Sequence, residues 1–599
     1  MQLFSIKKIW IAGLATTMVL VFFLFRPLNT PAYRIIAADG LGYYSYLPAQ
    51  FIYADRQLNF EWFDEVFNKH YDNQLFAKPS ENFLVAFGDK KINKYYPGQS
   101  LLQLPFFFAA HCAAKLFDYP ADGFALPYQL AMGIAALFYA FVGLLFCSKL
   151  LLEVFNDRLI ALLVPLFIFF GSNLFTYTIF NGCYSHVYSF CFLTLVFYSA
   201  FRFFKEPRQK LGWLLSGTLF ALVVVSIRPL NALLLPGIFY FYQPLQIKTL
   251  FKDRRKKWFV LLTGVLMVVV AVYNLRIIHL QTGSFLLNTY AGERFYFDNF
   301  SHVAANFFGF QYGMLWYSPL ILLSLAAVFF ITKAPRLLFL WLPVLLMIVL
   351  YSCWWYWSIT SRVLVDCSTP LALLLAYLMT KLKSRRKTSR LFILVSLLCV
   401  LIFQLKAYQL RNSILDANYV YDKYYFKYFF TLHDLNTYPV NPATVVKQRA
   451  FFIDYENKSG PEISELKSFE GRHSALLNAQ NEFACTATYT IPAFFNEKGF
   501  KKIRTAFWLY ATGGIKDINL VYTFTGKDSA LAYVPFYLND LRKDRWDFNE
   551  FGLDLPPNVQ SGDVLTVYFW NPTHQNEAFI DNLKVEFFLT DGSNEITLK

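Results

Sequence analysis

The sequence predicts a polytopic α-helical membrane protein of about eleven spans followed by an all-β sandwich, and three observations support this prediction. Of the 599 residues, 56% are hydrophobic and only 16% are charged, and the mean hydropathy is +0.36. Soluble chains average about 25% charged residues, so this composition excludes a wholly soluble or disordered protein. Long apolar runs recur up to about residue 408, and short alternating segments begin at about residue 445.

Eleven apolar runs are long enough to cross a bilayer as helices. The first, residues 9–25, follows two lysines and has no small-residue cleavage site after it, so we expect an uncleaved helix and not a signal peptide. The other ten lie near residues 125–147, 158–178, 186–204, 211–226, 230–245, 258–279, 313–331, 337–353, 363–380 and 390–408.

The loops between these runs predict the orientation of the chain. Four short loops are rich in Lys and Arg, and the positive-inside rule puts them in the cytoplasm: residues 202–210, 248–257, 332–336 and 381–390. The N-terminus is then cytoplasmic, and the segments expected outside are 28–124, 179–185, 227–229, 280–312, 354–362 and everything after about 409. We expect a multi-pass protein of the cell (inner or plasma) membrane, and the net charge of +15 reflects topology and not nucleic-acid binding.

Three domains follow from this topology. Residues 1–410 form the multi-spanning domain, whose first outer loop is 28–97. The apolar stretch after that loop is too short for a span and would break the parity of the basic loops, so 98–117 is predicted as an embedded or re-entrant helix. Residues 411–444 form an aromatic interfacial linker with interleaved lysines, and 445–599 form the extracytoplasmic β-sandwich, with turn residues between short alternating strands.

The chemistry is expected in the outer segments. The sequence contains no complete G-x-G-x-x-G, Walker A, H-E-x-x-H or G-x-S-x-G motif, and its eight cysteines include no C-x-x-C pair. Polar and charged residues instead gather at the predicted outer ends of helices, where Arg228 and Arg362 are suited to bind an anion at the interface.

Four features carry a family resemblance. They are Asp39 in the segment ADGLGYY soon after the first helix, the long first outer loop, the KYYPGQSLL segment that begins at Lys94, and the WWYW segment at 354–357 followed by Arg362 and Asp366. In these features residues 1–410 resemble the C-type (GT-C) glycosyltransferases, polytopic enzymes that take a sugar from a polyprenyl-phosphate carrier. Protein O-mannosyltransferases and the bacterial aminoarabinose transferase of lipid A are examples.

The resemblance implies an inverting transfer from a polyprenyl-phosphate-linked sugar donor to a glycan, lipid or protein acceptor on the extracytoplasmic face. Asp39 is the expected general base, because the attacking hydroxyl must lose a proton. Arg362 and Arg228, with Lys94 and Arg294, are expected to bind the donor phosphate, whose negative charge grows as it leaves. Further substrate-binding candidates are Tyr43, Tyr44, Tyr96, Asn181, His186, Glu293, Trp355 and Trp357.

No cofactor is required by this scheme, because phosphate is already a good leaving group. Glu61, Asp64 and Glu65 are the acidic residues that could bind a divalent cation, although their spacing does not demand one. The expected partners are the lipid-linked donor, the acceptor and the bilayer, and no nucleic acid.

Each residue also has a structural alternative. Asp39 before Gly-x-Gly could form a turn, and Arg362 could pair with Asp366, four residues along a helix. Arg228 could anchor to lipid headgroups, His186 could be a satisfied polar group, and the tryptophans at 354–357 could form an interfacial belt.

Two other functions are compatible with the sequence: a transporter or flippase, and a non-catalytic cell-envelope assembly protein that displays the sandwich. The sandwich itself resembles jelly-roll modules that bind carbohydrate, with Trp508, Trp546 and Trp570 as candidate contacts if they are exposed. Scaffolding is the alternative, because many such sandwiches bind nothing.

Overall fold

The computed structural model divides the chain into two compact units, residues 1–408 and 409–599. The described residues are 16, 18–20, 22–23, 35–70, 80, 83–87, 90–205, 211–242, 254–285, 289–290, 293–297, 300–310, 312–354, 360–411, 425–426, 429–430, 445–512, 518–527, 529–538, 546–556, 559–574 and 577–590. Most of the predicted first span and of the 411–444 linker lies outside them, as do Trp355 and Trp357.

In the described residues the first unit is mainly helical and contains one hairpin, formed by strands β1 (Leu84–Phe87) and β2 (Lys90–Asn93). Its α-helices are α1 Asp39–Tyr44, α2 Tyr46–Phe51, α3 Phe63–His70, α4 Gly98–Leu116, α5 Leu126–Phe155, α6 Arg158–Phe170, α7 Asn173–Ile179, α8 Ser185–Lys205, α9 Leu211–Ile227, α10 Arg254–Thr282, α11 Ser301–Phe308, α12 Met314–Tyr317, α13 Pro319–Leu325, α14 Leu338–Ser352, α15 Thr360–Val363, α16 Ser368–Leu382 and α17 Arg386–Arg411. Tighter 3₁₀ segments occupy Pro229–Phe241, Ala326–Phe330 and Pro335–Leu337.

Helical structure occupies each of the ten apolar runs predicted after the first. Among the described residues, five helices are long and apolar enough to cross a membrane, or six if α6 and α7, bent by 69°, count as one. The five are Leu126–Phe155, Ser185–Lys205, Gly264–Thr282, Pro335–Ser352 and Arg386–Arg411. The predicted division into a helical membrane part and a β-rich part is therefore confirmed, and the number eleven stays a prediction.

Helix α4 exposes apolar side chains and buries polar ones, as expected of a helix in an apolar environment. Its exposed residues include Leu101, Phe108 and Leu116, whereas Gln99 and Gln103 are buried. A helix in water shows the opposite arrangement, because its apolar stripe faces the protein core. The helix coincides with the predicted 98–117 segment, whose depth in the bilayer stays a prediction.

The helices place polar and basic residues at opposite ends. In α8, His186 lies in the first turn and Lys205 is the last residue, which at 1.5 Å per residue puts them about 28 Å apart. Asp366 likewise precedes α16, and Lys383 follows it and forms an ion pair with Asp157. The basic loops and the polar outer segments thus occupy different ends of the same bundle.

The second unit contains two antiparallel sheets. Their strands are β3 Val445–Ile453, β4 Ile463–Ser464, β5 Ser474–Leu477, β6 Phe483–Thr490, β7 Phe500–Thr512, β8 Asn519–Thr525, β9 Ala530–Tyr537, β10 Trp546–Asp554, β11 Val564–Trp570 and β12 Glu577–Thr590. The larger sheet has the order β10-β7-β12-β5-β4, with β3 also paired to β12, and the smaller has the order β6-β11-β8-β9. Phe507 and Phe569 meet between the sheets with ring centroids 4.7 Å apart, so the inner faces form one core.

The predicted topology can be tested by labelling cysteines introduced at Ser384 and Ser529, both of which are exposed. Cys112 is the only exposed natural cysteine, and the other seven are buried, so Cys112→Ser gives a suitable background. With a membrane-impermeant maleimide on intact cells, we expect labelling at Ser529→Cys alone, and labelling at both sites after permeabilisation. Labelling of both sites in intact cells would contradict the predicted topology.

Candidate functional site

Helix α1 presents Asp39 at its first position, and close packing of the following glycines holds it there. A Cβ on Gly40 would lie 2.6 Å from Cβ of Cys183, and one on Gly42 would lie 2.1 Å from the Tyr95 ring. Distances below 3 Å are not tolerated without displacement, so only glycine fits at these two positions. The segment therefore packs directly against the turn before α8 and the loop before α4.

Asp39 forms an ion pair with Arg362. The guanidinium nitrogen lies 3.2 Å from the carboxylate, and each side chain is about one quarter exposed. Tyr95 hydrogen-bonds Asp39, and Arg362 also lies over the Tyr184 ring at 5.9 Å. Burial, together with the Asp39 charge, raises the pKa of Tyr95, so its hydroxyl stays protonated and donates to the carboxylate. The pairing of Arg362 with Asp366, considered from sequence, is not what the structure contains.

Asp366 instead belongs to a buried cluster with His186 and Arg228. Its carboxylate lies 3.2 Å from Nδ1 of His186 and 3.8 Å from the Arg228 guanidinium. Arg228 also approaches both ring nitrogens of His186, at 3.1 and 3.2 Å, and donates to the Tyr351 hydroxyl at 2.8 Å. Asp366 has no exposed surface and His186 almost none, so the charge of Arg228 is what balances the buried carboxylate.

Tyr177 connects the two groups of charges. Its ring lies 4.9 Å from that of His186 and 5.3 Å from that of Tyr184, and its hydroxyl hydrogen-bonds Arg362. The Asp39–Arg362 pair and the Asp366 cluster are therefore parts of one site. We call these residues the two-pair site: Asp39, Arg362, Asp366, Arg228 and His186.

The other predicted cations lie near the site in different settings. Lys94 forms an ion pair with Glu293 at 2.7 Å, and its ammonium group is 5.5 Å from the Tyr95 ring centre. Arg294 is exposed and lies over the Tyr296 ring at 4.8 Å. The Lys94 charge is thus neutralised by Glu293 in this structure.

The predicted substrate-binding residues divide into two groups. Tyr43 is at the site, since it accepts a hydrogen bond from Ser185 at 3.1 Å and packs on Tyr95 at 4.6 Å. Tyr44 is fully buried and donates to the Gly123 carbonyl, so its hydroxyl is committed to the fold and not free for a substrate.

Tyr96 and Asn181 lie beside these elements. Tyr96 hydrogen-bonds Thr289, whose own hydroxyl donates to the Lys94 carbonyl at 2.6 Å. The Asn181 carbonyl accepts from the Tyr184 amide at 3.0 Å and closes the turn before α8.

Sequence reasoning missed the role of Asp366 and the surrounding tyrosines. Asp366 is the only carboxylate in the apolar run 363–380, and a carboxylate inside an apolar segment is itself a sign of function. From the sequence, Asp366 enters only as part of the family resemblance and as a helical partner for Arg362. Nothing in the sequence distinguishes Tyr177, Tyr184 and Tyr351 as site residues, because tyrosine is common throughout this chain.

The acidic residues considered for a cation do not form a cluster in the described part of the chain. Asp64 accepts hydrogen bonds from the Ser80 amide at 2.9 Å and the Ser80 hydroxyl at 2.6 Å, which joins α3 to Ser80. Among the described residues, no three His, Cys, Asp or Glu side chains are grouped as metal ligands. Independence from metal stays a prediction.

An aromatic patch covers part of the outer face of the larger sheet. Phe469 stacks on Trp508 at 3.7 Å, and Trp508 contacts Phe548 at 5.3 Å. Trp546 lies 5.7 Å from Tyr510 and 5.9 Å from Phe469. We call Phe469, Trp508, Tyr510, Trp546 and Phe548 the aromatic patch.

Trp570, the third tryptophan considered, lies elsewhere. It is on β11 of the smaller sheet and donates to Glu482 at 2.9 Å.

No protein-family model and no curated protein matches the chain. Among solved structures, the apo oligosaccharyltransferase of Archaeoglobus fulgidus is similar over 73% of this chain and 62% of its own, with 12% identity and a TM-score of 0.38. A second structure is that of the archaeal oligosaccharyltransferase AglB from Archaeoglobus fulgidus in complex with an inhibitory peptide and a dolichol-phosphate. It is similar over 73% of this chain and 61% of its own, with 14% identity and a TM-score of 0.36.

A Family 16 carbohydrate-binding module is similar over 20% of this chain and 82% of its own, at 14% identity and a TM-score of 0.16. The chain spans less than two thirds of either oligosaccharyltransferase. Such low identities and TM-scores establish neither a family nor an activity.

The different burial of the two carboxylates predicts different effects on stability. Asp366→Asn leaves the Arg228 charge without its buried counter-ion, which typically costs about 3–5 kcal/mol. Asp39→Asn removes a partly exposed pair, for which about 0–1 kcal/mol is typical. Thermal unfolding of both variants in the same detergent measures the difference, and equal losses would contradict this account of the cluster.

Proposed function

We propose that this chain is a membrane glycosyltransferase. It transfers a sugar from a polyprenyl-phosphate carrier to a glycan, lipid or protein acceptor on the extracytoplasmic face, with inversion at the anomeric carbon. The observation that carries the proposal is the Asp39–Arg362 pair at 3.2 Å, beside a second arginine anchored to a buried carboxylate. A carboxylate and guanidinium groups in one polar site are what a base and a phosphate-binding group require.

In the proposed reaction the acceptor hydroxyl attacks the anomeric carbon while its proton moves to the Asp39 carboxylate. The bond between the anomeric carbon and the phosphate oxygen breaks, and the carrier phosphate leaves with the electron pair. Arg362 and Arg228 stabilise the negative charge that grows on this phosphate. Both guanidinium groups are held by neighbouring side chains before substrate arrives, so little reorganisation is needed.

The Asp39–Arg362 ion pair favours binding of the donor before the acceptor. While Arg362 pairs with Asp39, the carboxylate is partly occupied as an acceptor. A donor phosphate at Arg362 competes for the same guanidinium and leaves Asp39 available for the acceptor hydroxyl. Donor binding therefore prepares the base, and an acceptor that arrives alone meets a carboxylate that is still paired.

The position of the charged residues along the helices distinguishes the proposed transferase from a coupled transporter. Transporters commonly carry ionisable groups near the membrane midplane, at broken helices. Here the charges of the two-pair site lie at helix ends, with His186 in the first turn of α8 and Asp366 just before α16. Incubation of the purified chain with polyprenyl-phosphate sugars and a panel of acceptors tests the proposal. The absence of both transfer and donor hydrolysis would favour a transporter or a non-catalytic assembly protein.

Asp39→Asn should separate turnover from donor binding. The amide keeps the size of the side chain but cannot accept the proton, so we expect turnover to fall by about 10²–10⁴. Donor binding should persist, because Arg362 is released from its partner. Asp118→Asn is the matched control, since Asp118 is an exposed carboxylate on the same predicted side. Near-normal transfer by a well-folded Asp39→Asn enzyme would make the base assignment wrong.

Arg362→Ala should weaken donor binding as well as turnover. The phosphate is anionic before and during the reaction, so its contact with arginine contributes to both states. Arg362→Lys should restore little if two parallel hydrogen bonds are needed, and much more if a point charge suffices. Donor binding is measured with a radiolabelled polyprenyl-phosphate sugar. Unchanged donor affinity in Arg362→Ala would contradict this role.

We also propose that the aromatic patch binds carbohydrate. Aromatic rings on the outer face of a sheet can stack on the apolar faces of sugars, and Phe469, which is 40% exposed, meets Trp546 edge to face there.

Trp546→Ala in the full chain should weaken binding to an immobilised glycan array by about tenfold, the equivalent of about 1.4 kcal/mol. Trp570→Ala is the control, since it removes a tryptophan from the other sheet. Equal binding by both variants and the unchanged chain would contradict the proposal.

A further inference from the structure

A cavity lies at the opposite end of the bundle from the two-pair site. Its volume is about 560 Å³, and Lys205, Arg336, Glu153, Tyr240 and Tyr377 line it together with apolar side chains. Lys205 ends α8, which begins with the segment that carries His186, so the cavity belongs to the basic end of the helices.

The cavity carries an excess of positive charge. Glu153 accepts from Arg202 at 3.0 Å and from the Tyr198 hydroxyl at 3.0 Å, so its carboxylate is already occupied. Lys205 is farther away, at 3.8 Å from Glu153. Among the described residues, no carboxylate lies within 4 Å of Arg336, which leaves its guanidinium available to an anion.

Two tyrosine hydroxyl groups lie in the same cavity as Lys205 and Arg336. Tyr240 and Tyr377 both line the cavity, and Tyr240 is within electrostatic range of Tyr377 and of Arg336. Guanidinium, ammonium and phenol groups are the donors that recognise phosphate oxygens.

An apolar surface continues from the cavity along α14. Leu338, Leu342 and Leu346 recur at intervals of four residues and are 43%, 56% and 39% exposed. They form one stripe that starts two residues after Arg336 and extends toward Tyr351 at the other end of the helix. Phe239 and Phe339, both exposed, lie 5.9 Å apart beside the start of this stripe.

We infer that this cavity binds the phosphate headgroup of an anionic bilayer phospholipid, whose acyl chains lie along the α14 stripe. The cations are at the helix end and the apolar stripe runs toward the middle of the bundle, which is the order of headgroup and chains in one leaflet. A soluble phosphate compound would use the cations but would leave the stripe uncovered. The inference is independent of the proposed glycosyl transfer, because it concerns the other end of the molecule.

The test uses the full chain in a zwitterionic detergent, with lipid adducts counted by native mass spectrometry. The probes are phosphatidylglycerol and phosphatidylcholine with identical acyl chains, and inorganic phosphate as a soluble competitor. The variant is Arg336→Gln and the control is Lys333→Gln, a neighbouring exposed cation that does not line the cavity. Thermal unfolding without added lipid establishes that both variants are folded.

We expect the unchanged chain and Lys333→Gln to bind phosphatidylglycerol at least tenfold more tightly than phosphatidylcholine. Arg336→Gln should lose about tenfold in affinity for phosphatidylglycerol, which corresponds to one charge-assisted contact. The loss for phosphatidylcholine should be smaller, because its choline cation already offsets the attraction of its phosphate to the cavity. Equal losses in the two variants, or equal binding of the two lipids, would overturn the inference. Displacement of the lipid by millimolar inorganic phosphate would also overturn it, because the site would then recognise a soluble anion.

Discussion

The buried carboxylate of Asp366 is the constraint on which the site depends. An ionised group without exposed surface is stable in an apolar bundle only when opposite charge and hydrogen-bond donors surround it. Here His186 from α8 hydrogen-bonds one carboxylate oxygen, Arg228 from the turn after α9 supplies the opposite charge at 3.8 Å, and Tyr351 of α14 in turn binds Arg228. Three helices and the segment before α16 therefore meet at one charge, which fixes the position of Arg228.

The two ion pairs of the site are balanced in charge and unequal in exposure. Asp366 and Arg228 form an inner pair that is closed to solvent at the carboxylate, whereas Asp39 and Arg362 form an outer pair that is about one quarter exposed. A phosphate that enters adds negative charge to a site that is otherwise neutral. The outer pair can separate at low cost, because both its members reach solvent, and the inner pair cannot. Reactivity is thus expected at Asp39 and Arg362, and rigidity at Asp366.

Much of the fold could be predicted from sequence, because it follows from apolar run length and alternation. Helical segments lie within each of the ten runs after the first, and the strands lie after about residue 445, the region in which short alternating segments predict a β-sandwich. The charge partners could not be predicted in this way. Asp39 and Arg362 are 323 positions apart in sequence, and the pairing depends on packing at Gly40 and Gly42 that no periodic pattern encodes. The closer partner in sequence, Asp366, was a reasonable helical neighbour for Arg362, but α15 ends at Val363 and the chain turns before Asp366.

The tyrosines explain how such a site can exist in an apolar bundle. Each additional charged residue would need its own counter-ion, whereas a phenol supplies a hydroxyl that can donate or accept a hydrogen bond, with an apolar ring and no net charge. Tyr95 donates to Asp39, whereas Tyr177 accepts from Arg362 and Tyr351 accepts from Arg228. These three of the chain's 39 tyrosines thus help to accommodate buried charge. Replacing such a phenol by Phe would keep the ring and remove only the hydroxyl. The charges of the site are therefore stabilised by side chains that a search for charged residues passes over.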